Sequence, residues 1–280
     1  MKLQYLGTAA AEGWPALFCR CESCRAARKL GGRHLRTRSQ SIIDDRLLID
    51  FPPDTYMHML THFVNLPDIK HCLSTHCHSD HLYTGDLSMR SGAFARELEG
   101  EDISFYGNDT FVKTMDDFAA AKARQLNIKW HELTEYVTVH IGGYSVTPIL
   151  ARHNPGEKCL NYIISDGQKT LLYLHDTGFP KDETWDFLKN FRFDLVSCDC
   201  TVLVKQMDGG GHMSFADNIR VRERMIREGM ASENTVFIAN HFSHNGAFAP
   251  DGKVWLYEET DAMMRKKGFI MSYDGMTVTV

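Results

Sequence analysis

His76-Cys77-His78-Ser79-Asp80-His81 packs three imidazoles and a carboxylate into six residues, directly after the apolar run Ile69 to Thr75. At the end of an extended strand, side chains at i and i+2 share a face, so His76 and His78 are expected to hold one ion. The chain then turns into a helix, which would swing Asp80 and His81 toward a second. Neutral imidazole with carboxylate suits zinc, manganese or iron rather than calcium or magnesium. The stretch reads as a two-metal site.

Four ligands cannot close two coordination spheres, so more must come from elsewhere in the chain. His153 follows the strand-like run Tyr144 to Leu150, Asp176 follows Leu171 to Leu174, and His241 follows Val236 to Ala239. Each sits where a strand would emerge, and strands emerging on one edge bring sequence-distant residues together.

The surrounding pattern is strands with helices interposed. Strands are expected at Leu3 to Leu6, Ser41 to Ile43, Leu47 to Ile49, Ile103 to Tyr106, Val137 to Ile141, Tyr144 to Leu150, Leu160 to Ser165, Thr170 to Leu174, Leu195 to Cys198 and Val236 to Ala239, with a closing pair Phe269 to Tyr273 and Met276 to Val280. Turns are signalled by Gly142-Gly143, Asn154-Pro155-Gly156 and Asp166-Gly167. Helices are expected from about Asp54 to Val64, from His81 to about Leu98, from the cap at Asn108-Asp109-Thr110 to about Arg124, near Lys181 to Asn190, from Ser214 to about Glu228, and from Gly252 to Lys267. Strands followed by helices, twice, predict an α/β fold: two sheets face to face with helices outside, an αβ/βα four-layer sandwich in a single domain spanning residues 1–280.

At 280 residues and 43% hydrophobic, the chain can bury a large core. A net charge of -5 gives no general attraction to nucleic acid, so a large RNA substrate is disfavoured. The opening Met1 to Gly7 lacks the apolar core of a signal peptide, and no window reaches the ~18 apolar residues of a membrane span, so a cytoplasmic location without membrane partners is expected. In that reducing setting Cys19, Cys21 and Cys24 read as thiolate ligands, and Cys72, Cys77, Cys159, Cys198 and Cys200 as buried free thiols.

The run His76-x-His78-x-Asp80-His81, with His153, Asp176 and His241 after later strands, resembles the metallo-β-lactamase superfamily over essentially the whole chain. The resemblance implies that His76, His78 and His153 bind one metal, that Asp80, His81 and His241 bind the other, and that Asp176 bridges. It also implies that Asp50, ending Leu47-Leu48-Ile49, stands near a ligand histidine; capping the following helix is the alternative role.

Cys19-x-Cys21-x2-Cys24 supplies three thiolates of a closed tetrahedral zinc and needs a fourth ligand, for which His244, three residues after His241, is the candidate. Together these residues resemble the phosphoribosyl cyclic phosphate phosphodiesterases of the carbon-phosphorus lyase pathway, which implies a structural Cys3His zinc beside a dinuclear zinc or manganese centre. In Gly209-Gly210-Gly211-His212-Met213-Ser214, His212 projects from a helix N-terminus, where anions are welcomed. In related phosphodiesterases a histidine at the matching place acts on the phosphate or leaving group. Asp199 orients His212 or ends its strand. Arg36 and Arg38 are candidates to meet a phosphate. His34, His58, His62, His71, His131 and His140 lack motif context, and His175 should point away from Asp176.

Two close cations lower the pKa of a shared water toward ~7, and with Asp80 and His212 as the catalytic residues the expected reaction is hydrolysis of a small phosphodiester, cyclic or linear. Within the same fold, a lactamase, a thioesterase and a tRNA 3'-processing nuclease are the rivals, although the chain lacks the basic protruding arm of the last. His78 argues against the flavodiiron oxygen reductases, which carry Glu there. A non-catalytic carrier of cofactor biosynthesis is the alternative from another class. The expected partners are the small-molecule substrate and, as an option, a second copy of the chain in a homodimer.

Overall fold

The computed structural model describes residues 1–98, 100–119, 123–205, 210–249 and 251–280. One sheet holds β1 (Lys2–Gly7), β2 (Gln40–Ile43), β3 (Leu47–Ile49), β4 (His71–Leu73), β5 (Ile103–Gly107) and β6 (Ile128–Glu132). The other holds β7 (Val139–Ile141), β8 (Tyr144–Leu150), β9 (Leu160–Ser165), β10 (Thr170–Leu174), β11 (Leu195–Asp199), β12 (Val236–Asn240) and β13 (Phe269–Met271). The final strand, β14 (Thr277–Thr279), crosses back to the first sheet, giving the orders β14-β1-β2-β3-β4-β5-β6 and β13-β12-β11-β10-β9-β8-β7. In each sheet the strands from the centre to one edge run parallel: β3 to β6, and β10 to β13.

Successive side chains of a strand point to opposite faces, so a strand apolar throughout must be covered on both sides. β3 does this with three residues: Leu47 and Ile49 enter the core between the sheets, and Leu48 enters the core under the outer helices. Tyr5, Leu73, Tyr162, Leu171 and Ile238 meet in that central layer. Outside the first sheet lie α2 (Thr55–His62), α3 (Asp109–Ala119) and α4 (Ala123–Leu126). Outside the second lie α5 (Asp182–Leu188), α6 (Phe215–Arg227) and α7 (Tyr257–Arg265), with α1 (Glu22–Leu30) packed against the same core. α6 shows why such helices form: Ser214 and Asp217 make a capping box, and Val221 and Met225, four apart, bury one stripe. Each fully buried aliphatic side chain contributes roughly 1.5–3 kcal/mol. The expected αβ/βα four-layer sandwich is therefore the fold observed.

Several local expectations change. β4 stops at Leu73, so His76 and His78 lie in the loop beyond it, and Ser79 to His81 form a tight turn closed by His81 N–H and Leu82 N–H on the His78 carbonyl, each at 2.9 Å. In place of a helix to Leu98 there is a 3-10 helix, Thr84–Arg90, ending just before Gly92; glycine costs a helix interior about 1 kcal/mol. α7 starts at Tyr257 instead of Gly252, because Phe248 and Val254 pair as a short antiparallel bridge ahead of it. The closing strands do not pair with each other: the turn at Gly275, whose N–H meets the Tyr5 carbonyl at 2.7 Å, sends one to each sheet. β6 was not expected. Residues 120–122, within the expected helix to Arg124, and Gly209 lie outside the described residues. Among the described residues no helix is long and apolar enough to cross a membrane.

Candidate metal centre

The carboxyl ends of parallel strands form one edge of each sheet, and ligand-bearing residues gather beyond them. Asp50 follows β3, Asp176 lies two residues past β10, Asp199 ends β11, and His241 follows β12. Asp50, Asp176 and His241 each adopt the left-handed region, with φ of 67°, 54° and 62°. For residues with a Cβ this costs about 1–3 kcal/mol apiece, and it coincides with sharp turns that aim these side chains at one point.

There the two halves of the chain meet. His76 Nε2 lies 2.9 Å from His78 Nδ1, which is 3.1 Å from His153 Nε2, and Asp176 Oδ2 is 3.2 Å from His76 Nε2. Beside this group, His81 Nε2 lies 3.2 Å from Asp80 Oδ2 and 3.1 Å from Asp176 Oδ2, with His241 Nε2 at 3.8 Å from the same oxygen. Asp176 belongs to both groups of four. Ligands about 2.0–2.2 Å from a tetrahedral ion are separated by roughly 3.3–3.6 Å, so the spacings bracket what two cations require.

The donors also lack other partners. His81 Nε2, His241 Nε2 and Asp176 Oδ1 are buried with no hydrogen bond, and leaving such groups unpaired is costly unless something else satisfies them. Burial works to raise the Asp176 carboxyl, but the charge of His241 and the close imidazoles of His76 and His81 hold it well below the usual carboxylate range. The residues present therefore fit a pair of divalent metals.

An aspartate–threonine pair from each sheet aligns the imidazoles. On one side, Asp50 Oδ2 takes His81 Nδ1 at 2.7 Å, while the Thr75 hydroxyl reaches Asp50 at 2.9 Å and His76 Nδ1 at 3.0 Å. On the other, the Thr201 hydroxyl lies 2.7 Å from His241 Nδ1 and 3.0 Å from Asp199 Oδ2. Such contacts fix the ring and its tautomer, leaving the other nitrogen for a metal. Sequence reasoning missed Thr75 and Thr201, as well as Asn154, whose amide lies 3.5 Å from His78 Nε2. Only the place of Thr75, within the apolar run that leads into the motif, hinted at a role.

His212 stands on the rim, half-exposed, with Nδ1 at 3.1 Å from Asp176 and 3.2 Å from Asp199. Burial opposes its protonation, yet the hydrogen bond and charge of Asp199 push it up to about 9. A cavity of about 550 Å³ opens alongside, lined by His153, Gly211, Tyr136 and side chains of both charges, Arg152, Lys158 and Lys181 with Glu157 and Glu183; Lys158 pairs with Glu135 at 2.9 Å.

Cys19, Cys21, Cys24 and His244 form a separate cluster. Cys19 Sγ and Cys21 Sγ lie 3.9 and 3.4 Å from His244 Nδ1, against the ~3.5 Å expected of sulfur and nitrogen sharing a tetrahedral zinc. Burial, reinforced by the neighbouring sulfurs of Cys21 and Cys19, pushes the Cys24 thiol up to about 12, so a cation is what would hold it as thiolate.

The two arginines, candidates for a phosphate, are engaged within the protein. Arg36 is buried, donating to Thr8 Oγ1 at 2.7 Å and the Ser272 carbonyl at 2.8 Å while its guanidinium covers the Phe242 ring. Arg38 pairs with Asp54 at 3.0 Å. His175 points away from Asp176 as expected, to Ser197 Oγ at 2.6 Å. His58 is buried against Gln40 and Thr37, and His34 pairs with Glu258. Cys72, Cys159, Cys198 and Cys200 are buried free thiols, and Cys77 is partly exposed.

Residues 45–233 match the family model described as the beta-lactamase superfamily domain. Among solved structures, the chain is similar to a new diphosphatase from the PhnP family, with a TM-score of 0.73 and 17% identity over 99% of this chain and 96% of that one. It is also similar to Zn(2+)-bound PqqB from Methylobacterium extorquens, with a TM-score of 0.71 and 20% identity over 100% of both chains. Human tRNase Z, short form, aligns with a TM-score of 0.67 and 14% identity over 100% of this chain and 99% of that one. At these identities the likeness shows the fold. No curated protein matches the chain in sequence.

Proposed function

Because the chain belongs to the beta-lactamase superfamily and is a metal-dependent hydrolase of the metallo-β-lactamase fold, we propose that it cleaves a small phosphodiester. His76, His78 and His153 would hold one metal, Asp80, His81 and His241 the other, with Asp176 shared. When bound, such a pair supplies Lewis acidity toward phosphoryl oxygens and ionises water near neutral pH. Cys19, Cys21, Cys24 and His244 would hold a structural zinc.

The observation that carries the reading is His212. Its Nδ1 lies 3.1 Å from Asp176 and 3.2 Å from Asp199, so a hydrogen bond to Asp199 leaves Nε2–H on the far side. A phosphodiester brings an anion and expels an alkoxide that needs a proton, and a positioned imidazolium serves both needs. A thioester brings no such anion, and its thiolate leaves without protonation. Asp199, through its hydrogen bond, fixes which nitrogen of His212 donates. That one neighbour is described as a diphosphatase is in keeping with a phosphorus centre.

Protein loaded with manganese or zinc should turn over bis(p-nitrophenyl) phosphate, and His81→Ala should reduce this to background. His212→Ala should slow diesters with alkyl leaving groups about 10²–10⁴-fold, and nitrophenyl diesters far less, since nitrophenolate departs unaided. Turnover of no phosphodiester, or equal loss on both leaving groups, would overturn the assignment.

A further inference from the structure

We infer that Glu157 is a positioning residue of the metal centre: its carboxylate clamps the loop that carries His76 and His78 to the loop that carries His153. This rests on the two-metal reading above and adds the part that sets one group of ligands in register across the two sheets.

The two loops have different origins. His76 and His78 follow β4 of the first sheet, whereas His153 lies in the turn between β8 and β9 of the second. That turn is closed on itself, with Ala151 N–H on the Cys159 carbonyl at 2.9 Å and Glu157 N–H on the Asn154 carbonyl at 3.2 Å. His153 and Glu157 are thereby held in a fixed relation. The loop after β4 is joined to β9 as far as Thr75: Leu160 N–H donates to the Thr75 carbonyl at 2.8 Å, and the Tyr162 hydroxyl donates to the Ser74 carbonyl. Beyond Thr75 the tie passes to a side chain. Glu157 Oε1 accepts Cys77 N–H at 2.9 Å, and that N–H belongs to the peptide joining His76 to Cys77, between the two ligands.

The carboxylate is itself held. Asn108, 2% exposed just before α3, donates its amide to the same Oε1 at 2.8 Å and to the Lys158 carbonyl at 2.9 Å. Its own Oδ1 accepts Phe111 N–H at 2.7 Å, which fixes the amide to donate toward Glu157. With His76 Nε2 and His78 Nδ1 only 2.9 Å apart, a small rotation of the peptide between these residues changes how the two imidazoles converge. Partners that hold ligands without touching the ion set metal affinity by about 10–100-fold.

Chelator competition with metal analysis on the zinc-loaded full chain tests this. Glu157→Ala should weaken retention of one ion of the pair about 10–100-fold, and leave the ion proposed at Asp80, His81 and His241, and the zinc at the cysteines, as in the wild type. Glu157→Gln, which keeps an oxygen able to accept both N–H groups, should restore retention. Glu157→Asp, which keeps the charge but is one methylene shorter, should not. Asn108→Asp keeps the acceptor for Phe111 N–H but turns a carboxylate toward Glu157, and should reproduce the loss should the alanine variant fail to fold. Equal retention in the wild type and these variants, a loss shared by every site, or a loss that glutamine does not restore would overturn the inference and leave the hydrolase reading intact. A wild-type chain that holds no pair of ions would overturn both.

Discussion

Asp50 is a carboxylate fully buried with no lysine or arginine paired to it among the described residues, held instead by Thr75 and by His81 Nδ1 at 2.7 Å. Its position at the end of an apolar strand was legible in the sequence; its partner Thr75 was not, because a lone hydroxyl in a loop leaves no periodic trace. The same holds for Thr201, which reaches His241 from the opposite sheet. Arg36 illustrates the reverse error, since a cation near a candidate site reads as an anion binder until the structure shows Phe242, Trp14 and Tyr257 around it. If Asp50 sets the basicity and orientation of His81, Asp50→Asn should weaken retention of the metal at His81 about 10–100-fold, as read by chelator competition. Asparagine tolerates the left-handed backbone that Asp50 adopts, so the substitution isolates the charge. Unchanged retention would show that the Asp50 charge does not tune His81; the helix cap is no alternative, since the N-cap position is Asp54.

At the scale of elements, the cysteine loop and α1 are tied to the loop after β12. Cys21 caps α1 through its side chain on Cys24 N–H, and His244 sits across from it in the 3-10 helix His244–Ala247. A zinc there would fasten the N-terminal loop three residues from His241. Cys24→Ser should cost one zinc per chain and lower the melting temperature by roughly 5–10 °C, given ~2–4 °C per kcal/mol for a chain of this size and a few kcal/mol for losing a metal. Calorimetry with metal analysis reads both; an unshifted melting point at full zinc content would contradict the closed site. Strands were the most legible elements, because those that carry the ligands are apolar on both faces. β6 escaped notice since only Ile128 of its five residues is buried. The segment after His81 misled through its Leu87, Met89 and Leu98, which line a groove in place of one helical face.

For the molecule as a whole, two sheets with matching parallel halves place their carboxyl edges at one seam, and Asp176 stands on that seam. The seven side chains proposed as ligands come from four separate segments, and each sheet contributes to both groups. Sequence could foretell this convergence because each ligand follows a strand, but it could not foretell the groove on the far side of the first sheet, which depends on how α2 and residues 84–98 pack. The central claim is that these side chains bind two cations. Anomalous diffraction from crystals grown with zinc or manganese measures it directly. The account predicts two peaks about 3.5–4 Å apart on either side of Asp176, and a third among Cys19, Cys21, Cys24 and His244. Density at the cysteines alone, with the histidines bare at saturating metal, would contradict it.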